Sequence, residues 1–596
     1  MASIMDLEKT IGYEEARLTS REQMGGKGLF QPFSSTNSGS RKIMQESQLE
    51  QAMQILKPEV PVIGTGYENR YGDESSSIIR AESDLEIVDK ISKFTTNPNE
   101  SYYLITRDID TGKFGVITKV PYRYTTETYG YLYDYDNTVL DKLDIGYEIS
   151  EGELVRSSYS YDEYQNRCDG VNLLCGYICS DITMEDGIEL SESAARKLAS
   201  PLLKRVQVSL NDNDILLNLL GDKAFPDIGE YVNNGILVGV RREKIEESLY
   251  MQSIERLKQL LISDEKFTVT GKVIDINIYS NSPEILQSRY SNQQVLYYYN
   301  EHIRVCKEIV ECINRLRKQH GYIHMERELE ELWFNSKREL EGTTFIKDKS
   351  FTGTLVEFYI LEESVPIAGD KITNRFGGKG IIAKITPDHL MPVTENGDRL
   401  EVCFNGFTCT NRLNWGQLAE VSLTFIGTRL LEYIRDNNIS LDDSIEMIYR
   451  YISYVSQSEA NEFYEMMYHD SATNNDRGWY IDQMIEDGYI LLSNKPMSES
   501  TSIDILRQLY HEFPFIKQYK MIIPIEDSNG NIRYIPGLRE MVVGKIYIYR
   551  LKQYAEEKFS VTSLSSTNIK NENTRSKASK NHKALYTDTP IRFGVA

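Results

Sequence analysis

Lys371 and Lys379 stand eight positions apart in GDKITNRFGGKGIIAKI, residues 369–385, with Arg375, Lys384 and four glycines around them. Positive side chains flanking a glycine-rich turn suit an anionic target. Glycines at 377, 378 and 380 permit backbone geometries closed to other residues, so a phosphate or a polymer could approach the main chain closely. The strand-like IIAKI that follows would let the lysines converge from the two arms of a hairpin. A P-loop is excluded, because Thr373 stands where its first glycine belongs and Gly380 where Ser or Thr must follow the G-K pair. Arg412, in NRLNWGQL at 411–418, and Arg41 add guanidinium groups, whose planar forks donate paired charge-assisted hydrogen bonds to a triphosphate. Glu185 and Asp186, in DITMEDGIEL, form an acidic pair that could hold or tune a hard divalent cation. Taken singly, these features also fit a solvated basic turn, surface arginines and an acidic helix start.

The chain of 596 residues is long enough for about three to five domains. With 67 Lys and Arg against 89 Asp and Glu, its net charge of -22 repels polyanions at long range. Contact with nucleic acid must therefore be local or shared with a more basic partner. Seven cysteines without a C-x-x-C pair argue against a disulfide framework or a zinc ribbon and fit a reducing cytoplasm. His320 and His324 have the spacing of two ligands on a helix, but Gly321 interrupts them and no third ligand is evident, so no metal site is predicted within the chain. No apolar run reaches the roughly 18 to 20 residues of a membrane helix, and MASIMDLEKT lacks the basic start and apolar core of a signal peptide. No membrane association is expected.

Several elements must position the charged groups. GSRKIMQESQLEQAMQIL, 39–56, reads as a helix with Ile43, Gln51, Ala52 and Leu56 at helical spacing, closed by Lys57-Pro58. YYLITRDIDTGKFGVITKV reads as a hairpin turned at Asp110-Thr111-Gly112, and VNLLCGYIC, 171–179, as a buried strand just ahead of the acidic pair. ILVGV and VTGKVIDINIY are further strands, and the region 294–341 is helical, with Ile303, Cys306, Ile309 and Ile313 at helical spacing. Residues 420–515 are mostly helical, and 519–552 return to strands around Ser528-Asn529-Gly530. The tail SSTNIKNENTRSKASKNHK is polar and basic, of a kind that orders on a partner. The fold class is mixed α+β and multidomain.

In order along the chain, these segments resemble the beta subunit of multisubunit DNA-directed RNA polymerases. GDKITNRFGGKGIIAKITPDHLMPVTENGDRLEVCFNGFTCTNRLNWGQL is similar to a family segment carrying G-D-K, R-x-G-x-K-G, M-P and S-R-x-N-x-G-Q in succession. RKIMQESQLEQAMQILKPEVPVIGTGYE resembles the stretch that ends in P-L-V-G-T-G-x-E, and NLLCGYICSDITMEDGIELSES the strand followed by N-F-E-D-A-I. GEYVNNGILVGV and TGKVIDINIY are similar to flap-domain strands, and GKIYIYRLKQYAEEKF to the approach to the C-terminal active-centre region. The resemblance covers nearly the whole chain but only the C-terminal part of a standard beta subunit, as in giant bacteriophages, whose polymerases divide both large subunits into separate polypeptides.

The resemblance implies a hybrid-binding core of double-psi-barrel type with an inserted flap domain. It divides the chain into an active-centre segment at 1–100, a β-rich core segment with the acidic pair at 101–194, the flap-like insertion at 195–360, the lysine-bearing core at 361–425, a helical segment at 426–518, and C-terminal strands with a basic tail at 519–596. It also implies roles. Lys371 and Lys379 would sit by the RNA 3′ end and the reacting phosphates, Arg412 and Arg41 on the incoming triphosphate, and Glu185 and Asp186 near the catalytic magnesium. Arg375, Lys384 and Lys558 would contact nucleic acid. The magnesium ion itself would be held by N-A-D-F-D-G-D of a beta-prime-type partner, a string absent from this chain, so the chain alone is not expected to polymerise. Further implied partners are an N-terminal beta fragment, template DNA and the RNA transcript, with a promoter-specificity subunit left open. The implied place of action is the cytoplasm of an infected bacterium, with packaging in the virion as well left open. Two departures stand out: SSTNSGS replaces the family's E-H-D-D-A-N before Arg41, and Ser560 replaces its histidine. A non-catalytic structural or nucleic-acid-binding phage protein of the same descent is the alternative.

Overall fold

The structure is a computed structural model. It describes residues 25–73, 75, 77–96, 101–119, 122–124, 130–132, 143–162, 164–210, 214–221, 223–241, 265–281, 283–284, 293–342, 345–346, 349–350, 353–469, 473–496, 502–527, 529–555, 559–561 and 591–593. Two units divide the chain. One comprises Met1–Glu74, Tyr164–Ala199 and Val365–Ala596, the other Ser75–Glu163 and Ser200–Ser364. The segments expected at 1–100 and 101–194 are thus each shared between units, and the stretch 75–163 belongs with 200–364.

The first unit is built on a closed barrel of six strands: β1 (Val171–Tyr177), β2 (Gly187–Ser191), β3 (Lys371–Asn374), β4 (Gly380–Thr386), β5 (Val402–Phe404) and β6 (Val543–Arg550). Their order around the barrel is β1-β5-β2-β4-β3-β6. β1 with β5 and β2 with β4 run parallel; the other neighbours are antiparallel. Alternate residues point inward, so Val171, Leu173 and Cys175 of β1 meet Ile372, Ile382 and Ile548 in one buried cluster. Each such aliphatic side chain contributes about 1.5–3 kcal/mol by leaving water. VNLLCGYIC therefore forms the buried strand read from its sequence, ending at Tyr177.

Helix α1 spans Gly39–Leu49, α2 Gly406–Arg412 and α3 Gly416–Asp436. α3 lies directly on β6: a Cβ at Gly544 would come 2.1 Å from the Val421 carbonyl, and Thr424 Oγ1 donates to the Lys545 carbonyl at 2.8 Å. Beyond it Leu441–Val455, Gln457–Met467, Asn474–Asp487 and Ser502–Glu512 complete the expected helical region around a large apolar core. α1 is shorter than its sequence pattern predicts. Ile43 is 67% exposed, and after Leu49 the chain leaves the helix to join the barrel, where Met53 N–H donates to the Arg550 carbonyl at 2.9 Å. From Met53 onward tertiary hydrogen bonds replace helical ones, Leu56 N–H donating to the Ala199 carbonyl at 3.0 Å. The basic tail at 565–583 lies outside the described residues; the short antiparallel pair Phe559–Val561 and Ile591–Phe593 flanks it in sequence.

The second unit holds a five-stranded antiparallel sheet, in the order Ser200–Leu210, Thr354–Ser364, Glu265–Ser280, Tyr231–Arg241, Ile215–Leu216. A four-stranded sheet contains the predicted hairpin, Tyr102–Asp108 with Phe114–Lys119, its turn closed by Thr111 N–H on Asp108 Oδ1 at 2.7 Å. The helical region resolves into Gln293–His320 and Arg327–Leu340, with Gly321 at φ +76° between them. Among the described residues, no helix is long and apolar enough to cross a membrane.

Candidate active site

The acidic pair occupies the connection between β1 and β2. Thr183 Oγ1 accepts from Ser180 N–H at 2.9 Å and donates to the Ile178 carbonyl at 2.5 Å, folding the loop back on itself. Glu185 then takes a left-handed conformation, φ +47°, uncommon for a residue with a side chain. The Asp186 carbonyl accepts from Ile381 N–H at 3.0 Å, which fastens the acidic loop to the start of β4, next to Lys379.

The glycine turn links β3 to β4. Asn374 holds it, its Oδ1 accepting from Phe376 and Gly378 N–H at 3.0 Å each while its Nδ2 donates to Gln417 Oε1 at 2.7 Å. Gly377 is at φ +74°, where a Cβ would lie 2.7 Å from the Arg41 carbonyl; at Gly380 a Cβ would lie 2.7 Å from the Asp186 carbonyl. These glycines admit neighbouring protein backbone. That corrects the expectation that they leave the main chain open to a polymer. The hairpin does bring the two lysines together: Lys371 opens β3 opposite Ile381, and burial, then the charge of Lys371, press the Lys379 pKa below the usual lysine range.

Arg412 ends α2, a helix capped by Asn405, whose Oδ1 accepts from Phe407 N–H at 2.9 Å, and stopped by Leu413 in the left-handed region at φ +49°. A cation there also meets the negative end of the helix. The chain just before α1 pairs with this corner: Ser38 N–H donates to the Leu413 carbonyl at 3.2 Å and Asn37 Oδ1 accepts from Gly416 N–H at 3.0 Å. Arg41 thereby reaches the turn, donating from Nη1 to the Gly377 carbonyl at 3.1 Å. Burial and the neighbouring Arg412 charge lower its pKa, with Asp186 opposing. Arg412 itself forms an ion pair with Asp186.

Glu185, Asp186, Lys379 and Arg412 line one pocket, together with Thr408 and Gln417. Two adjacent carboxylates are what the pocket offers a divalent cation, and Asp186 is already engaged by a guanidinium. A cation held mainly from elsewhere could be tuned here; primary ligation is not provided. The polar residues that shape the site, Asn374, Asn405 and Gln417, were not anticipated. Asn374 next to the R-x-G-x-K-G run and Gln417 in the S-R-x-N-x-G-Q element were the available signals.

Of the three residues expected to contact nucleic acid, the two that are described do not line this pocket. Arg375 is buried in an ion pair with Glu420, its guanidinium 5.2 Å from the Tyr547 ring centre, so it faces the protein interior and not a polymer. This corrects its assignment. Lys384 is exposed on β4, in register with Glu189 of β2. Lys558 lies outside the described residues.

Fold and site define a barrel-centred protein with a pocket lined by two cations, Lys379 and Arg412, and two carboxylates, with Arg41 and Lys371 next to those cations. Residues 176–510, more than half of the chain, match the family described as RNA polymerase Rpb2, domain 6. The chain belongs to that family. It is 23% identical over 452 residues to the DNA-directed RNA polymerase subunit beta of Borrelia turicatae (strain 91E135), covering 72% of this chain and 33% of that protein. Against the subunit beta of Clostridium tetani (strain Massachusetts / E88) identity is 23% over 415 residues, 67% of this chain and 29% of the relative. For the subunit beta of Chlamydia pneumoniae it is 23% over 496 residues, 68% and 38%. The chain spans about a third of the length of these curated relatives.

Proposed function

We propose that the chain supplies one wall of the active centre of a DNA-directed RNA polymerase, acting as the C-terminal portion of a beta-type subunit. The observation that supports this most is that Lys379 and Arg412 line one pocket with Glu185 and Asp186, while Arg41 approaches Arg412 and Lys371 approaches Lys379 from other stretches of the chain. In this reading Arg41 and Arg412 grip the triphosphate of the incoming nucleotide, and Lys371 and Lys379 neutralise phosphate at the RNA 3′ end. The RNA 3′ oxygen attacks the α phosphorus in line, its proton leaves, and the bond to the departing pyrophosphate breaks. The four cations stabilise the charge that collects on the phosphate oxygens. Magnesium, held mainly by a beta-prime-type partner, would supply electrophilic activation, with Glu185 and Asp186 in a supporting place.

The barrel would be the double-psi core and the 200–364 portion of the second unit the flap. On sequence resemblance we further infer the divided, phage-type enzyme. Its partners would be an N-terminal beta fragment, beta-prime-type fragments and a promoter-specificity subunit, acting on a DNA template and an RNA transcript. The test is purification of the assembled complex carrying Lys379→Ala. Nucleotide addition should fall by about ten- to a thousandfold while every polypeptide still copurifies. Unchanged elongation would remove the lysine from the chemistry. Absence of a beta-prime-like chain from the complex would favour the structural alternative.

A further inference from the structure

Helices Gln293–His320 and Arg327–Leu340 of the second unit set His302, Cys306 and Glu339 against one another, each offering a donor atom within 4.8 Å of the other two. The Cys306 sulfur is 3.6 Å from Glu339 Oε2 and 3.9 Å from His302 Nε2, and the imidazole and carboxylate are hydrogen-bonded to each other. We propose that these three side chains form a divalent transition-metal site, with zinc as the ion their donor set selects.

Thiolate, imidazole and carboxylate bind zinc at about 2.0–2.3 Å, which in a tetrahedron spaces donors by about 3.3–3.8 Å. Both sulfur edges are close to that spacing; the imidazole and carboxylate have only to part to admit the ion. Magnesium and calcium prefer oxygen donors throughout, so the thiol selects against them. His302 and Cys306 are one turn apart on the same helical face, and Glu339 comes from the facing helix, so a bound ion clips the two helices together. The His302 ring is steadied edge-on by Tyr279, with ring centres 5.4 Å apart. Cys306 is buried, whereas the His302 and Glu339 side chains are 23% and 17% exposed, which leaves a way in from solvent. Three protein donors leave one tetrahedral position for water. Binding forms the metal–sulfur, metal–nitrogen and metal–oxygen bonds and sends the thiol proton to solvent. No sequence motif signals the site: His-x-x-x-Cys on one helix completed by a glutamate from the next is a tertiary arrangement.

The test uses the full 596-residue chain, stripped with a chelator, checked for native circular dichroism, and titrated with zinc and with cobalt(II). The expected results are one tightly held zinc per chain and a thiolate-to-cobalt charge-transfer absorption. Cys306→Ser should abolish that absorption and weaken zinc by at least about a hundredfold, since altering groups that merely support ligands already costs about 10- to 100-fold. Cys312→Ser, on the same helix with its sulfur turned to Arg315, should keep both signals. Glu339→Gln should weaken zinc while keeping the sulfur absorption. A natively folded wild-type chain that takes up no zinc overturns the proposal. So does a Cys306→Ser chain that retains the cobalt signature.

Discussion

Arg375–Glu420 and Arg412–Asp186 are the same chemical pair in two places within one unit. The first is sealed inside, its side chains 5% and 2% exposed; the second opens on the cleft, at 26% and 41%. The buried guanidinium finds no hydrogen-bond partner among the described residues for its Nε and Nη1, and it leans on the Tyr547 ring. Such a pair adds little net stability over apolar packing, yet each partner is indispensable once the other is present. The cleft pair is solvated and worth about 0–1 kcal/mol to the fold. It is therefore free to exchange its carboxylate for another anion. Burial, not residue type, separates the sealed pair from the open one.

The largest effect should come from breaking the sealed pair. Arg375→Met strands the Glu420 carboxylate and should cost about 3–5 kcal/mol, read as a shift of the chemical-unfolding midpoint, while Arg375→Met with Glu420→Leu should recover most of it. The pH dependence has a definite sign. Burial pushes the Glu420 carboxyl up and Arg375 pulls it back, so without Arg375 it rises further. The folded variant then keeps a proton that the unfolded chain has released. Its stability should fall as pH climbs from the ordinary glutamate range toward neutral, more steeply than in the native chain. A variant as stable as the native protein would erase the distinction between the two pairs.

A smaller effect is expected at the cleft. Asp186→Asn should leave the unfolding midpoint within about 1 kcal/mol of the native value. With its carboxylate gone, Arg412 faces the pocket unpaired beside Arg41, and inorganic triphosphate should bind about three- to tenfold more tightly at low salt. The gain should vanish as added salt screens the pocket. Large destabilisation with unchanged triphosphate affinity would make this pair architectural too.

The pocket's two cations were legible in sequence because they lie in short, patterned segments: Lys379 in the glycine turn and Arg412 in NRLNWGQL. The barrel strands showed as apolar runs such as VNLLCGYIC. What the sequence did not show is long-range. Arg375 looks like its basic neighbours, and only Glu420, 45 residues on, draws it inside. The Arg412–Asp186 pairing spans 226 residues, and no local pattern encodes it. Gly377 and Gly380 advertise closeness to something; that the something is the Arg41 and Asp186 carbonyls follows only from the folded barrel. Helix α1 ends early for the same reason, since the barrel edge competes for the backbone from Met53 on.

Lys384 bounds the comparison from the solvent side. It is exposed on β4, and Glu189 across from it is occupied by the Thr386 hydroxyl at 2.6 Å. Lys384→Ala should therefore change stability by no more than about 0.5 kcal/mol. If the side chain meets one nucleic-acid phosphate in the assembled complex, the slope of log affinity against log salt for an RNA–DNA hybrid should shrink by about 0.9. The net charge of -22 makes this a demanding measurement, because long-range repulsion weakens every contact as salt is lowered. A slope unchanged across potassium chloride concentrations would withdraw Lys384 from the nucleic-acid surface. In the polymerase reading, phosphate contact would then be confined to Lys379 and Arg412, held by the glycine turn and α2, where partial burial strengthens each charge.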